Sequence, residues 1–132
     1  MGNWMMSLTA TIGGGFLFPD FLFMVIHTNK WYWGTTETIV IHDGVGIVEV
    51  QYDKDTNIAY VKGLSVAKMW KRNGIGTELM KLCEQRARKN NKSFLQLCCH
   101  KGKDWIYEWY KRLGYETFSW DEHEFVMIKK LC

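Results

Sequence analysis

The chain has 132 residues, enough for one domain with a single hydrophobic core, and we expect residues 1–132 to form that one domain. Apolar residues make up 47% and charged residues 23%, with 12 glycines and one proline, which excludes disordered and collagen-like proteins. The net charge of +3 favours an anionic ligand but is too small to indicate nucleic-acid binding, which would require a concentrated basic stripe.

The four cysteines form no CxxC pair, which favours reduced thiols in the cytoplasm. Cys98, Cys99 and His100 are consecutive, and adjacent residues rarely satisfy the tetrahedral geometry of zinc. We therefore predict no metal site.

The first 26 residues include a long apolar run but are poorly suited to a membrane segment. The glycines at 13–15 and Pro19 interrupt the run, Asp20 lies near its centre, and no basic stretch precedes it. The segment is therefore interpreted as core, with no membrane partner. Pro19 and Asp20 suit the first turn of a helix, which predicts a helix within 19–31.

From Thr36 onward, short elements alternate with turn signals. Two runs of alternating residues flank Asp43-Gly44, which predicts a β-hairpin, and a third run, IAYVKGLSV at 58–66, extends it to an antiparallel meander. Apolar residues then recur at helical spacing from Ile75 to Lys89, and Asn90-Asn91 ends the predicted helix.

The remaining segments complete an α+β pattern. KSFLQLCCH, residues 92–100, is a continuous apolar run that predicts a central strand covered on both faces. A helix follows from Asp104 to Gly114, and a closing hairpin spans 117–130. Strand, helix and strand in succession require at least one parallel crossover.

The stretch MWKRNGIGTEL, residues 69–79, is the most constrained part of the chain. A helix N-terminus has backbone N–H groups without intrahelical partners, and together with the helix dipole these attract phosphate. Gly74 and Gly76 allow close approach of the backbone, and Lys71 and Arg72 add positive charge. This pattern predicts an anion site.

Three features in matching order resemble the GNAT superfamily of N-acetyltransferases. Residues 71–76, KRNGIG, are similar to the pyrophosphate-loop pattern [RQ]xxGx[GA], with lysine at the first position. LSV at 64–66 resembles the strand that precedes this loop, and WYKRLGYE at 109–116 resembles the family's YeklGF motif. The P-loop and dinucleotide patterns are absent. The resemblance covers residues 37 to 130.

The resemblance implies an α+β, three-layer GNAT-like fold: a mixed, mostly antiparallel sheet with a splayed parallel strand pair flanked by helices. It also implies acetyl-CoA as co-substrate, with backbone groups of Leu64, Val66 and Lys68 binding the pantetheine arm. Asp104 stands where many members carry a pantetheine-binding asparagine. The pyrophosphate would be held by backbone amides of Lys71, Arg72, Asn73, Gly74, Ile75, Gly76 and Thr77.

By the same resemblance, Tyr110 is the general acid that protonates the departing thiolate, although it would otherwise be interpreted as a core aromatic residue. The resemblance does not assign the general base. Tyr60 stands where members often carry a glutamate, so Glu49 on the neighbouring strand is the nearest acidic candidate, and His100 is an alternative.

The implied activity is transfer of an acetyl group to a primary amine of a small molecule or peptide, by direct attack in a ternary complex. The alternative is a catalytically weak acyl-CoA-binding or interaction protein of the same fold. Residues 1–35 lack a recognisable counterpart of the family's N-terminal region, so the acceptor cleft is either open or completed in a homodimer.

Overall fold

The structure, a computed structural model, describes residues 8–13, 23–67 and 74–131. These residues form one eight-stranded sheet in the order β1-β2-β3-β4-β5-β6-β8-β7 together with two helices. The strands are β1 (Leu8–Gly13), β2 (Phe23–Trp31), β3 (Gly34–Ile41), β4 (Gly46–Asp53), β5 (Ile58–Val66), β6 (Phe94–His100), β7 (Glu116–Trp120) and β8 (Glu124–Lys130). The helices are α1 (Ile75–Lys89) and α2 (Asp104–Arg112).

The predicted α+β class is confirmed, with a mostly antiparallel sheet that contains one parallel pair, β5 and β6. The meander of β3, β4 and β5 is present, and its first turn places Asp43 in the left-handed region at φ 55°. Asn91 has φ 61° just after α1, as expected where asparagine ends a helix. The closing hairpin of β7 and β8 is also present.

The helix predicted within 19–31 is wrong, because Phe23–Trp31 is strand β2. It pairs with β1 on one side and with β3 on the other, and Met24 and Ile26 are buried in the core. The β2–β3 turn, Tyr32-Trp33, lacks the Gly, Asn or Asp that usually marks a hairpin turn, so this pairing has no local sequence signal. Pro19 and Asp20 lie outside the described residues.

Both helices pack against one face of the sheet. α1 contacts β4, β5 and β6, and Trp109 of α2 lies against Gly76 at the start of α1. We call this side the helix face. Its buried strand residues are Ile39, Ile41, Val48, Val50, Ala59, Leu95, Leu97, Cys99 and Met127.

The opposite side of the sheet carries no helix among the described residues, and we call it the open face. On β5 and β6 it presents Tyr60, Gln96, Cys98 and His100, which are half-buried or exposed. β6 is therefore covered on one face only, since its burial alternates, and the prediction of a strand covered on both faces is wrong. Phe94 and Cys98 on the open face make the run look continuously apolar, although its buried residues, Leu95, Leu97 and Cys99, all lie on the helix face.

Two buried carboxylates fix α1 to the sheet. Glu37 on β3 is 3% exposed, receives hydrogen bonds from Arg86 Nε at 3.0 Å and Nη2 at 2.6 Å, and accepts a third from the Tyr52 hydroxyl at 2.8 Å. Glu84 on α1 accepts hydrogen bonds from Tyr115 at 2.9 Å and Lys129 Nζ at 3.1 Å. Burial and the Glu37 carboxylate raise the pKa of Tyr52, so its phenol stays a donor.

Candidate active site

A cleft opens between the two parallel strands. β5 and β6 pair only from Ile58↔Phe94 to Tyr60↔Gln96, although β5 continues to Val66 and β6 to His100. Beyond Tyr60 the strands diverge, so the β5 edge that faces β6 has no strand to pair with in the described part of the chain. The cleft has a volume of about 340 Å³ and is lined by Val61, Lys62, Gly63, Leu64, Leu97, Cys98, Cys99, His100, Lys103, Ile106 and Tyr110.

A β-bulge lies at the mouth of this divergence. Glu49 pairs with Gly63 and the next β4 residue, Val50, pairs with Val61, so Lys62 has no partner on β4. A bulge leaves the backbone groups of its extra residue unpaired and increases the local twist. The bulge therefore increases the twist of β5 where it begins to diverge from β6, and its extra residue, Lys62, lines the cleft.

The N-terminus of α1 follows the end of β5 in sequence. Gly74 is the N-cap residue with φ 79°, in the left-handed region that favours glycine, and it has no side chain with which to cap the first turn. The N–H groups at the start of a helix point outward along its axis, so an uncapped turn can bind an anion. Lys68, Lys71, Arg72 and Asn73, predicted to complete this site, lie outside the described residues.

Gly76 lies in the first turn of α1 against the indole of Trp109. A β-carbon at this position would be 3.3 Å from Trp109 Cη2 and Cζ2 and 4.0 Å from Val66 Cγ2. A glycine here therefore also serves the packing of α2 against α1, a reason that the sequence motif alone did not suggest.

Tyr110 forms part of the cleft wall on the helix face. It is 7% exposed, its ring lies 4.8 Å from Trp109 and 5.9 Å from Tyr115 between centroids, and its hydroxyl makes no hydrogen bond with the described residues. Burial, with smaller contributions from Cys99 and Cys83, raises the pKa of Tyr110 to about 12. The phenol is thus neutral, bordering the cleft, and free to donate a hydrogen bond to a ligand.

The other predicted residues divide into two groups. Leu64 lines the cleft, and Val66 lies near Gly76, so both are close to where they were expected. Glu49 is exposed on β4 and outside the cleft lining, although its pairing partner Gly63 lines it. Asp104, the exposed first residue of α2, does not line the cleft either. The roles of these residues stay predictions.

The neighbouring Lys103, which sequence reasoning missed, lines the cleft directly before α2. Lys103 stands seven residues, about two helical turns, before Tyr110, so helical spacing from Tyr110 could have identified it.

Within the described ranges, no three His, Cys, Asp or Glu side chains are grouped to hold a metal ion. No helix in those ranges has the length and apolar character needed to cross a membrane.

Comparison with known proteins identifies the fold that carries this cleft. The sequence profile of the acetyltransferase (GNAT) family matches residues 19–115. The chain belongs to the GNAT family of acetyltransferases. The prediction of a GNAT acetyltransferase is therefore confirmed. A search of curated protein sequences gave no match to the chain.

Solved structures of GNAT acetyltransferases superpose on this one. Nourseothricin acetyltransferase does so with a TM-score of 0.66 at 18% identity, over 99% of this chain and 88% of its own. A GNAT family acetyltransferase from Elizabethkingia anophelis with acetyl-CoA bound gives 0.64 at 15% identity, over 75% and 77%. The PaiA N-acetyltransferase from Thermoplasma acidophilum in complex with coenzyme A gives 0.63 at 20% identity, over 72% and 59%. At these identities the likeness establishes the GNAT fold alone.

Proposed function

We propose that this GNAT domain transfers an acetyl group from acetyl-CoA to a primary amine of a small molecule or peptide, by direct attack in a ternary complex. The observation that carries the proposal is the opening between β5 and β6, where the last residue of β5, Val66, lies beside Gly76 in the first turn of α1. A ligand with an amide-bearing arm and a phosphate end fits that combination, and solved GNAT structures contain coenzyme A or acetyl-CoA.

The binding residues follow from the exposed backbone. The β5 edge beyond Tyr60 offers hydrogen-bonding groups to an extended ligand arm as an added strand would use them, at Leu64 and Val66. Lys68, which lies outside the described residues, is proposed to add its backbone groups to this set. The N–H groups at Gly74, Ile75, Gly76 and Thr77 would hold the pyrophosphate, together with Lys71, Arg72 and Asn73. When bound, acetyl-CoA supplies the activated acetyl thioester.

Tyr110 would act where the thiolate leaves. Tyr110 lines the cleft and its phenol is neutral, so it can donate a proton or a hydrogen bond to sulfur. A thiol has an ordinary pKa of about 8.5 and is a stronger acid than the Tyr110 phenol. A hydrogen bond from Tyr110 that stabilises the thiolate is therefore expected to contribute more than full proton transfer to sulfur.

Calorimetry with acetyl-CoA, with Gly76→Glu as the variant, tests the proposed site. A glutamate at residue 76 places a negative charge and a side chain in the first turn of α1, so binding should be lost. Gln85→Glu adds the same charge at an exposed position later on α1 and should bind normally. Failure of the parent to bind, or equal binding by Gly76→Glu, would contradict the site.

The second candidate, a catalytically weak acyl-CoA-binding or interaction protein, is favoured by one observation. No carboxylate is found among the described residues that line the cleft, so the acidic base of many family members has no counterpart there. The two candidates differ in turnover. Release of CoA thiol in the presence of a panel of polyamines, amino acids and peptides supports the enzyme, and binding without release supports the second candidate.

A further inference from the structure

The described side chains of the cleft can be sorted by whether they can accept a proton. A lysine ammonium has no free lone pair, which excludes Lys62 and Lys103. Burial keeps the Tyr110 phenol and the Cys99 thiol protonated by raising the pKa of each, and burial together with Glu124 does the same for Cys98. His100 is the remaining ionisable group of the lining, and imidazole is the usual proton acceptor near neutral pH.

The position of His100 fits an approach of the acceptor from the open face. It is the last residue of β6 and exposed, and it shares the open face with Cys98 because residues two apart in a strand point to the same side. Tyr110 reaches the same cleft from α2 on the helix face. The cleft thus has a proton donor on one side of the sheet and a proton acceptor on the other.

From this placement we propose that His100 is the general base, accepting the proton of an acceptor amine that enters from the open face. The inference rests on the proposed function. The amine nitrogen forms the C–N bond to the acetyl carbon as the C–S bond breaks and its electron pair leaves with sulfur. Before the attack, a ring nitrogen of His100 accepts the extra proton of an ammonium acceptor, which frees the nitrogen lone pair. Sulfur receives a proton from Tyr110, and the second proton that the nitrogen loses after the attack passes to water. Both side chains then return to their starting states by exchange with water.

Charged groups on three neighbouring elements face His100. Glu124 on β8 lies directly opposite it in register and therefore shares the open face. Lys62 on β5 and Lys103, directly before α2, line the same cleft, and Cys98 lies two residues earlier on β6. Glu124 is placed to attract a cationic amine toward His100, whereas the two lysines disfavour a second positive charge deeper in the cleft.

The test compares His100→Gln with His123→Gln, which removes an exposed histidine from the β7–β8 turn outside the cleft lining. CoA release is measured at neutral pH with butylamine, which is mostly protonated, and with hydroxylamine, which is mostly neutral. His100→Gln should lower kcat with butylamine by roughly 10²-fold or more, and less with hydroxylamine, while the KM for acetyl-CoA changes little. His123→Gln should resemble the parent.

Two turnover results would overturn the assignment. His100→Gln could match the parent, in which case Glu49→Gln and Glu124→Gln show whether a carboxylate acts as the base instead. It could also lose the same factor with both amines, as a structural defect would. Nuclear magnetic resonance supplies a readout independent of turnover. Ring signals of His100, identified by their absence in His100→Gln, should shift with acetyl-CoA, and unchanged signals at saturation would contradict a place in the cleft.

The experiments distinguish failure of the proposed function from failure of the His100 assignment. If the parent does not bind acetyl-CoA by calorimetry, the proposed function fails and the assignment of His100 fails with it. If the parent binds and releases CoA while His100→Gln is unchanged, only the assignment of His100 fails.

Discussion

The indole of Trp109 in α2 lies directly over Gly76 in the first turn of α1, so close that a β-carbon there would be 3.3 Å from two ring atoms. This contact holds the helix that carries Tyr110 against the helix whose N-terminus faces the proposed pyrophosphate. The two ends of the candidate site are thereby positioned by one packing interaction. Glycine at residue 76 therefore serves the packing of the two helices as well as access to the backbone.

A double-mutant cycle tests this contact. In a Trp109→Leu background, Gly76→Ala should stabilise the protein by about 0.5–1 kcal/mol, because alanine favours a helix and the ring is gone. In the parent the same change should be less favourable, since the new methyl presses on the indole. Urea unfolding measures the four free energies. Equal effects of Gly76→Ala in both backgrounds would show that the contact carries no energy.

Loss of the Tyr110 hydroxyl should affect the chemical step and little else. Tyr110→Phe is expected to lower kcat by roughly 10²–10⁴-fold, while affinity for acetyl-CoA and the melting temperature change little, since the hydroxyl has no hydrogen bond in the described structure. Because burial raises the pKa of Tyr110 to about 12, its ionisation should not limit the rate below that pH.

Tyr107→Phe is the matched control for that prediction. It removes a hydroxyl from the same helix, one that bonds Thr117 Oγ1 at 2.6 Å outside the cleft lining. Steady-state kinetics on the purified variants should therefore show normal turnover for Tyr107→Phe, and unchanged turnover in Tyr110→Phe would rule out its role as the acid.

The buried pair of Glu37 and Arg86 should be sensitive to the loss of one partner. Arg86→Met leaves the Glu37 carboxylate, 3% exposed, without its cation and should cost about 3 kcal/mol of unfolding free energy. The double variant Glu37→Met with Arg86→Met should be more stable than Arg86→Met alone, because no unpaired charge is buried. Lys81→Met, at an exposed ion pair on the same helix, should change stability by less than about 1 kcal/mol.

The free energy of unfolding should fall at alkaline pH, because the folded protein buries three tyrosines and one cysteine that ionise there. Burial raises the pKa values of Tyr52, Tyr110, Tyr115 and Cys83 in the folded protein. Between the ordinary and the raised pKa the unfolded chain has already lost protons that the folded chain keeps, so stability declines as pH rises. Each group contributes a slope of about 1.4 kcal/mol per pH unit within that window.

Urea unfolding over a pH series should therefore show a plateau that ends above roughly pH 9, where thiols and phenols of unfolded chains ionise. Tyr115→Phe should reduce the alkaline slope, although it also removes the hydrogen bond to Glu84. Tyr32→Phe, at a side chain that is 74% exposed, should leave the slope unchanged. A stability that stays flat through the alkaline range would contradict this account.

Local chemistry in the sequence determined most of the elements after Thr36. Asp43-Gly44 and Asn90-Asn91 act through their own backbone preferences, and helical spacing from Ile75 to Lys89 depends on neighbours within a few residues. The glycine loop was recognisable for the same reason, because a phosphate site at a helix start is made from consecutive amides. These features require no knowledge of distant residues.

Tertiary structure decided the rest, because pairing and packing join residues far apart in the chain. β2 is a strand because β1 and β3 supply backbone hydrogen-bond partners on both of its sides. The residues of β2 alone do not indicate these partners. Divergence of β5 from β6 placed Lys103 and His100 in the cleft and left Glu49 and Asp104 outside its lining. A cleft wall is composed of residues from separate elements, and only the fold brings those elements together.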